Sequence, residues 1–322
     1  MSEGRKLFQD ALSAHKANFD PLYKTFISEC RNRYADIEVS PFFFNEIERL
    51  HDSGGARLRS FLFCLGFELI KEDANAQALK ASIAMELIHS FLLIHDDIID
   101  RSMTRRDGPS AHYSFVEHQF FGGLSPSEKE YFGSRMAILC GDLLCVLAFE
   151  LLGSKNFETK NSGYLFEFVS MILVKTIFGQ GQDIFFQVNK KQILDNQKIV
   201  ALKTAHYSFE LPLCLGMYCA GSKIRDAERS CISEFALSCG IAYQIRDDIQ
   251  DTKDDIARYT LNSGTKKFED QLSKKKIAKN RMHIFETKIT KSRACLSELS
   301  KRRYRKEAFD LLKILPDYIA DC

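Results

Sequence analysis

Residues Glu86–His112 read ELIHSFLLIHDDIIDRSMTRRDGPSAH. Leu87, Ile88, Phe91, Ile94 and Ile98 recur at helical spacing, which predicts a buried helix. Three carboxylates, Asp96, Asp97 and Asp100, are set into this apolar segment. Asp96 and Asp100 are four apart and share one helix face. A buried, doubly anionic face needs a counter-charge. Mg²⁺ suits it, because this ion takes carboxylate oxygen and completes its shell with water and substrate phosphate.

Tyr243–Asp251, YQIRDDIQD, repeats the D-D-x-x-D spacing with Asp247, Asp248 and Asp251, again after an apolar helical stretch, Ile232–Ile245. A lone run of this kind reads as a solvated helix end. Two of them on separate apolar helices predict two walls of one polyanion site, since polar residues at intended core positions mark function.

The rest of the chain bounds the class. With 322 residues, 45% hydrophobic and 27% charged, it has the composition of a soluble globular protein. Six prolines and no long strand-like alternation predict an all-α fold, read as a single domain over 1–322 without a linker. A net charge of +2 argues against a nucleic-acid partner. Ten cysteines without metal-ligand spacing read as small core residues of a reducing, cytoplasmic protein. MSEGRKLFQD lacks the apolar core of a secretory signal, and no transmembrane segment is expected. Residues 1–35 read as one helix, Ser40-Pro41 as the cap and first residue of a second, and Ser125 or Ser127 as the cap of a long one ending near Leu152.

Between the aspartate runs lie smaller signals, each with a bland reading when taken alone. Gly54-Gly55-Ala56-Arg57-Leu58-Arg59 is a turn before a helix, where backbone N–H groups and arginine favour phosphate. His89 sits two helical turns before Asp96, and Arg105-Arg106 follow Asp100 ahead of a Gly108-Pro109 turn. Gln180 and Asp183 are three apart on one helix, and Lys203-Thr204 open another apolar stretch.

Together these residues resemble the trans-isoprenyl diphosphate synthases of the polyprenyl synthetase family, from about Gly54 to Asp251. The resemblance implies an all-α helical bundle around a deep central cavity, usually a homodimer, that condenses isopentenyl diphosphate with an allylic prenyl diphosphate. It implies that Asp96, Asp97, Asp100, Asp247, Asp248 and Asp251 hold Mg²⁺ and the allylic diphosphate. Arg105 and Lys203 would stabilise the leaving diphosphate, with Thr204, Gln180, Asp183 and Gln244 lining the cavity nearby. Arg57, Arg106 and His89 would hold isopentenyl diphosphate. His95 matches a common family residue, read as packing or a supporting contact, and Gly141-Asp142-Leu143-Leu144 a helix-packing motif.

Two departures stand out. Position 56 is alanine where the family has lysine, which predicts weakened isopentenyl diphosphate binding with catalysis retained. From 252 to 322 the match thins: spacing is kept over Gly264–Lys275 but both glycine-lysine pairs are altered, leaving Lys266 or Lys275 to close over the diphosphates. The basic excess from 266 to 306 reads foremost as a solvated helical face, with peripheral contact to an anionic membrane as the other reading. Phe91, five before Asp96, is the expected floor for the growing product. A single aromatic there resembles synthases making C20 geranylgeranyl diphosphate, with C15 farnesyl diphosphate second. The rivals are a non-catalytic subunit of a heteromeric synthase, favoured by Ala56, and a terpene cyclase, which would not need Arg57 and His89 for a second diphosphate.

Overall fold

The computed structural model describes residues 3–72, 76–116, 123–153, 162–189, 196–221, 226–260 and 268–321. The chain is all-α. Its helices are α1 (Glu3–Arg33), α2 (Ser40–Asp52), α3 (Leu58–Glu68), α4 (Ala76–Ile99), α5 (Ala111–Ser114), α6 (Pro126–Leu152), α7 (Ser162–Asn189), α8 (Asn196–Val200), α9 (Leu211–Cys219), α10 (Asp226–Thr260), α11 (Phe268–Leu299) and α12 (Lys306–Asp321). A π-helical run, Ala201–Glu210, joins α8 to α9. Contacts group the chain into two compact units, one of Asp10–Cys64 and Ala74–Thr159, the other of Met1–Gln9, Leu65–Asp73 and Lys160–Cys322.

In the first unit α4 packs along α6, and α5 caps the pair. Glycines set the separations. A methyl group on Gly133 would fall 2.1 Å from His112 O, and one on Gly141 2.5 Å from the His95 ring. The Gly141 motif thus makes room for His95, whose Nε2 lies 3.2 Å from Ile138 O. Ser125 begins α6 with a full capping box to Glu128, followed by Pro126. α2 departs from expectation. Ser40 is its first, buried residue and Val39 holds the cap position without a side-chain bond. A preceding turn, closed by Ser40 N–H to Ile37 O at 2.9 Å, already feeds the chain into the helix. Ala78–Ile99 is long and apolar enough to cross a bilayer, an unforeseen property, but most of that window is buried inside the protein and it carries Glu86, Asp96 and Asp97.

In the second unit α10 packs along α11, and the π-helical run lies against both α7 and α10. Ala205, Ile241, Ile245 and Ile249 form a shared core with Ile284 and Phe285. Gly179 and Gly240 permit this closeness: added methyl groups would fall 2.5 Å from Lys203 N and 2.8 Å from Ala205 Cβ.

A short antiparallel hairpin, β1 (Thr104–Arg105) and β2 (Gly108–Pro109), was not expected. Its two-residue loop is Arg106-Asp107, both with positive φ (50° and 63°), as a type I′ turn requires. The turn is therefore made by Arg106-Asp107, ahead of the Gly108-Pro109 pair that reads as its signal.

Candidate active site

α4 carries the first aspartate run to its C-terminal end. The helix closes with a Schellman motif: Ser102 N–H reaches Asp97 O at 2.8 Å and Arg101 N–H reaches Ile98 O at 3.3 Å. Arg101 occupies the left-handed position usually given to glycine, with φ 53°. The reversal sends the chain into the β1–β2 hairpin and returns Arg105 to α4. There the Arg105 guanidinium grips Asp97 through both carboxylate oxygens, Nε to Oδ2 at 3.1 Å and Nη2 to Oδ1. Asp97 is 2% exposed, so this is a buried charge met by a forked partner. Asp96 is half-buried and Asp100 exposed.

Three carboxylates at a helix C-terminus face the negative end of its dipole, an arrangement that favours a cation. Among the described residues no three His, Cys, Asp or Glu side chains form a ready-made cage. Mg²⁺ binds through one or two carboxylates and takes its other oxygens from water and phosphate. Asp96 and Asp100 have the chemistry and spacing for it.

Beside this run is a cationic cluster. Arg105, Arg106, Asp97, Ser53 and Ser90 line a small open pocket with Leu50, Leu93 and Ile94. Arg106 Nη1 donates to Gly54 O at 2.5 Å. Arg57, left-handed at φ 56°, is buried, and its guanidinium donates to Asp20 Oδ1 (2.8 Å), Gly54 O (2.8 Å) and His51 O (2.7 Å). His89 is buried next to Arg59, Arg106, Arg105 and Arg57. Burial first, then these cations, push its imidazole well below the usual range, so it is neutral at pH 7. Burial and Arg57 likewise lower Arg106. Non-glycine residues in left-handed backbone cost free energy and gather at functional sites; here Arg57, Arg101, Arg106 and Asp107 all do so.

Asp20 and His51 escape sequence reading because α1 and α2 bring them together with Arg57 only in space. His51 Nε2 lies 3.2 Å from Asp20 Oδ1, and its ring stacks on Tyr23 at 3.9 Å. This contact is not an ion pair: burial and Arg57 pull the imidazole down to about 4. Burial likewise lowers His15 to about 4, beside Ser60 Oγ at 2.8 Å. His15, His51 and His89 are thus neutral in the folded chain, while unfolded histidine titrates near 6.5. Below that value the unfolded state binds more protons, so stability is full above about pH 6.5 and falls toward pH 4. Each histidine contributes a slope of up to about 1.4 kcal/mol per pH unit. Urea midpoints measured from pH 7.5 to 4.5 should decline steadily; a flat profile would refute the assignment.

The second aspartate run lies on α10. Asp248 accepts from Gln244 Nε2 at 3.0 Å and lies 3.5 Å from Arg281 Nη2. Arg281, on α11, was missed because nothing in its local sequence marks it. Asp247 lies 3.3 Å from Arg246, whose Nη1 donates to Ile319 O at 3.0 Å near the end of α12. The Asp251 side chain, Lys266 and the Lys275 side chain lie outside the described residues. In the same unit Lys203 pairs with Asp183 at 3.0 Å, joining the π-helical run to α7. Thr204 and Gln180 are half-buried, and Gln180 Nε2 is buried without a hydrogen-bond partner. Phe91 is half-buried, its ring meeting His95 edge-on at 4.8 Å.

A family model described as polyprenyl synthetase matches residues 41–312. A farnesyl diphosphate synthase of Buchnera aphidicola is 30% identical over 311 residues, 92% of this chain and 92% of that protein. A short chain isoprenyl diphosphate synthase of Methanocaldococcus jannaschii is 30% identical over 208 residues, 65% of this chain but 57% of that protein. The match thus spans less than two thirds of that relative's length. The crystal structure of a geranylgeranyl pyrophosphate synthase from Corynebacterium glutamicum, complexed with isoprenyl diphosphate and magnesium, superposes with a TM-score of 0.73 at 20% identity, covering 99% of this chain and 98% of that one. It shares the fold.

Proposed function

This chain belongs to the polyprenyl synthetase family, and from that premise we propose that it is a short-chain prenyltransferase condensing isopentenyl diphosphate with an allylic diphosphate, with geranylgeranyl diphosphate as product. The observation that carries this is the pairing, within one compact unit, of an aspartate-rich helix end with a pocket lined by Arg105 and Arg106, beside a buried, neutral His89. One diphosphate needs cations alone and the other needs carboxylate-held metal. The unit offers both.

Asp96 and Asp100 would hold Mg²⁺, which would supply positive charge to the allylic diphosphate; the family resemblance gives the second aspartate run the same role. Arg105, already oriented by Asp97, supplies fixed positive charge to the leaving group, and the family resemblance gives that role to Lys203 as well, held in its own unit by Asp183. Arg106 and Arg57 orient the diphosphate of the attacking alkene. His89 stays neutral and adds no charge that would draw the alkene's diphosphate away from the arginines. The departing diphosphate takes up the proton lost after the new carbon–carbon bond forms, so the chain's own contribution is binding, alignment and electrostatics.

Exposed apolar stripes support the homodimer. Tyr131, Leu139 and Val146 mark one face of α6, while Val174, Phe178 and Phe185 mark one of α7, an unusual apolar exposure for a lone chain. Sedimentation should give twice the monomer mass; a monomer would sink this part.

The deciding experiment extracts and sizes products made from labelled isopentenyl diphosphate, Mg²⁺ and allylic primers from C5 to C15. A ladder ending at C20 is expected. A C15 end favours farnesyl diphosphate synthase, and no product from a folded chain favours the non-catalytic subunit. Phe91→Ala opens the floor and should move the end point up by one or more C5 units. An unchanged product would remove Phe91 as the stop.

A further inference from the structure

A cation outside both aspartate and arginine motifs reaches the Gly54–Arg57 loop. Lys16 projects from α1, and its Nζ donates to Gly55 O at 2.9 Å. Gly55 is also where two guanidinium groups converge: a methyl group there would lie 3.2 Å from both Arg57 Nη1 and Arg106 Nη2. Arg106 itself holds the adjacent Gly54 O. Three cations therefore meet at two successive carbonyls. Asp20 balances Arg57. Among the described residues Lys16 and Arg106 have no carboxylate within ion-pair distance. Carbonyl oxygens offset only part of a full charge, so the cluster is left with a net positive field directed at the loop. A group with several anionic oxygens answers it, two for the arginine forks and one for the ammonium.

We propose that Lys16 is a diphosphate ligand, acting with Arg106 and Arg57 on the diphosphate of the attacking substrate. The assignment rests on the prenyltransferase reading above. It also gives Ala56 a meaning. The loop brings no ammonium of its own, and α1 brings one to the neighbouring residue, on a stem long and flexible enough to swing from a carbonyl to a phosphate oxygen.

Inorganic pyrophosphate would be titrated calorimetrically into the full chain, without Mg²⁺ so that the aspartate runs do not compete for it. Lys16→Met, Lys16→Arg and the double variant Lys16→Met/Ala56→Lys would be compared, with KM for each substrate measured on the same proteins. Lys16→Met should weaken pyrophosphate binding and raise KM for isopentenyl diphosphate at least about tenfold, the worth of one charge-assisted bond. The allylic KM should not follow. Lys16→Arg and the added Ala56→Lys should restore most of the loss. Unchanged binding and KM in Lys16→Met would overturn the assignment, while product formation by the unmodified chain would leave the enzyme reading standing. A common rise of both KM values with a lowered Tm and no recovery by Ala56→Lys would make Lys16 a strut of the loop and also overturn it. An unmodified chain that neither binds pyrophosphate nor forms product would bring down the assignment and the reading beneath it together.

Discussion

Asp97→Ala should lose about 3 kcal/mol of stability and about 10³-fold in kcat/KM. The carboxylate is almost fully buried and both its oxygens are bonded to Arg105. Removing one partner of such a pair leaves a charge half-stranded, which is costlier than the pair was ever worth. Arg105 then loses the contact that aims it, and the hairpin loses a tie to α4. The stability loss is read from urea unfolding and the catalytic loss from steady-state kinetics. Asp97→Asn separates the two, since the amide keeps the volume and one hydrogen bond. It should recover part of the stability but little of the activity. A variant at this position with full turnover would show that Arg105 needs no orientation.

Lys203→Met should lower kcat by about 10²- to 10³-fold with a smaller effect on KM for isopentenyl diphosphate. A fixed cation aimed at a leaving group contributes most when charge develops there, so its loss falls on kcat. The side chain is one-quarter exposed and paired with Asp183, so folding should suffer less than in the Asp97 case. Single-turnover measurement isolates the chemical step. A pure KM effect would mean that Lys203 only binds. Gly179→Ala offers a check that leaves the charge untouched. Its methyl group would drive against Lys203 N and displace the whole segment.

How much of this was legible beforehand depends on the distance over which each signal acts. The aspartate runs, a serine cap at Ser125 or Ser127 and the apolar faces are written in spacings of a few residues, and local pattern finds them; the capping box of Ser125 with Glu128 emerges only in the structure. Arg57 could be nominated from its loop, but not its bonds to Asp20 and His51, because that trio spans α1 to the start of α3. The hairpin was missed because its loop residues are Arg106 and Asp107, and the left-handed turn is imposed by the pairing of strands of two residues each. Arg281 approaches Asp248 from another helix, and no local pattern foretells it. The π-helical run was read as an ordinary apolar stretch, since five-residue hydrogen bonding leaves the same composition as four.

That π-helical run bears on how related chains are aligned. Leu211 N–H bonds back to His206 O, five residues away, so the segment spends more residues per turn than its neighbours. A relative that runs ordinary α-helix through the same space would be shorter here by about one residue per relaxed turn, with every flanking side chain still in register. An aligner would place that gap arbitrarily within Ala201–Glu210. Shifted by one position, it would pair Lys203 with a residue about 100° around the helix, and a preserved cation would be scored as lost.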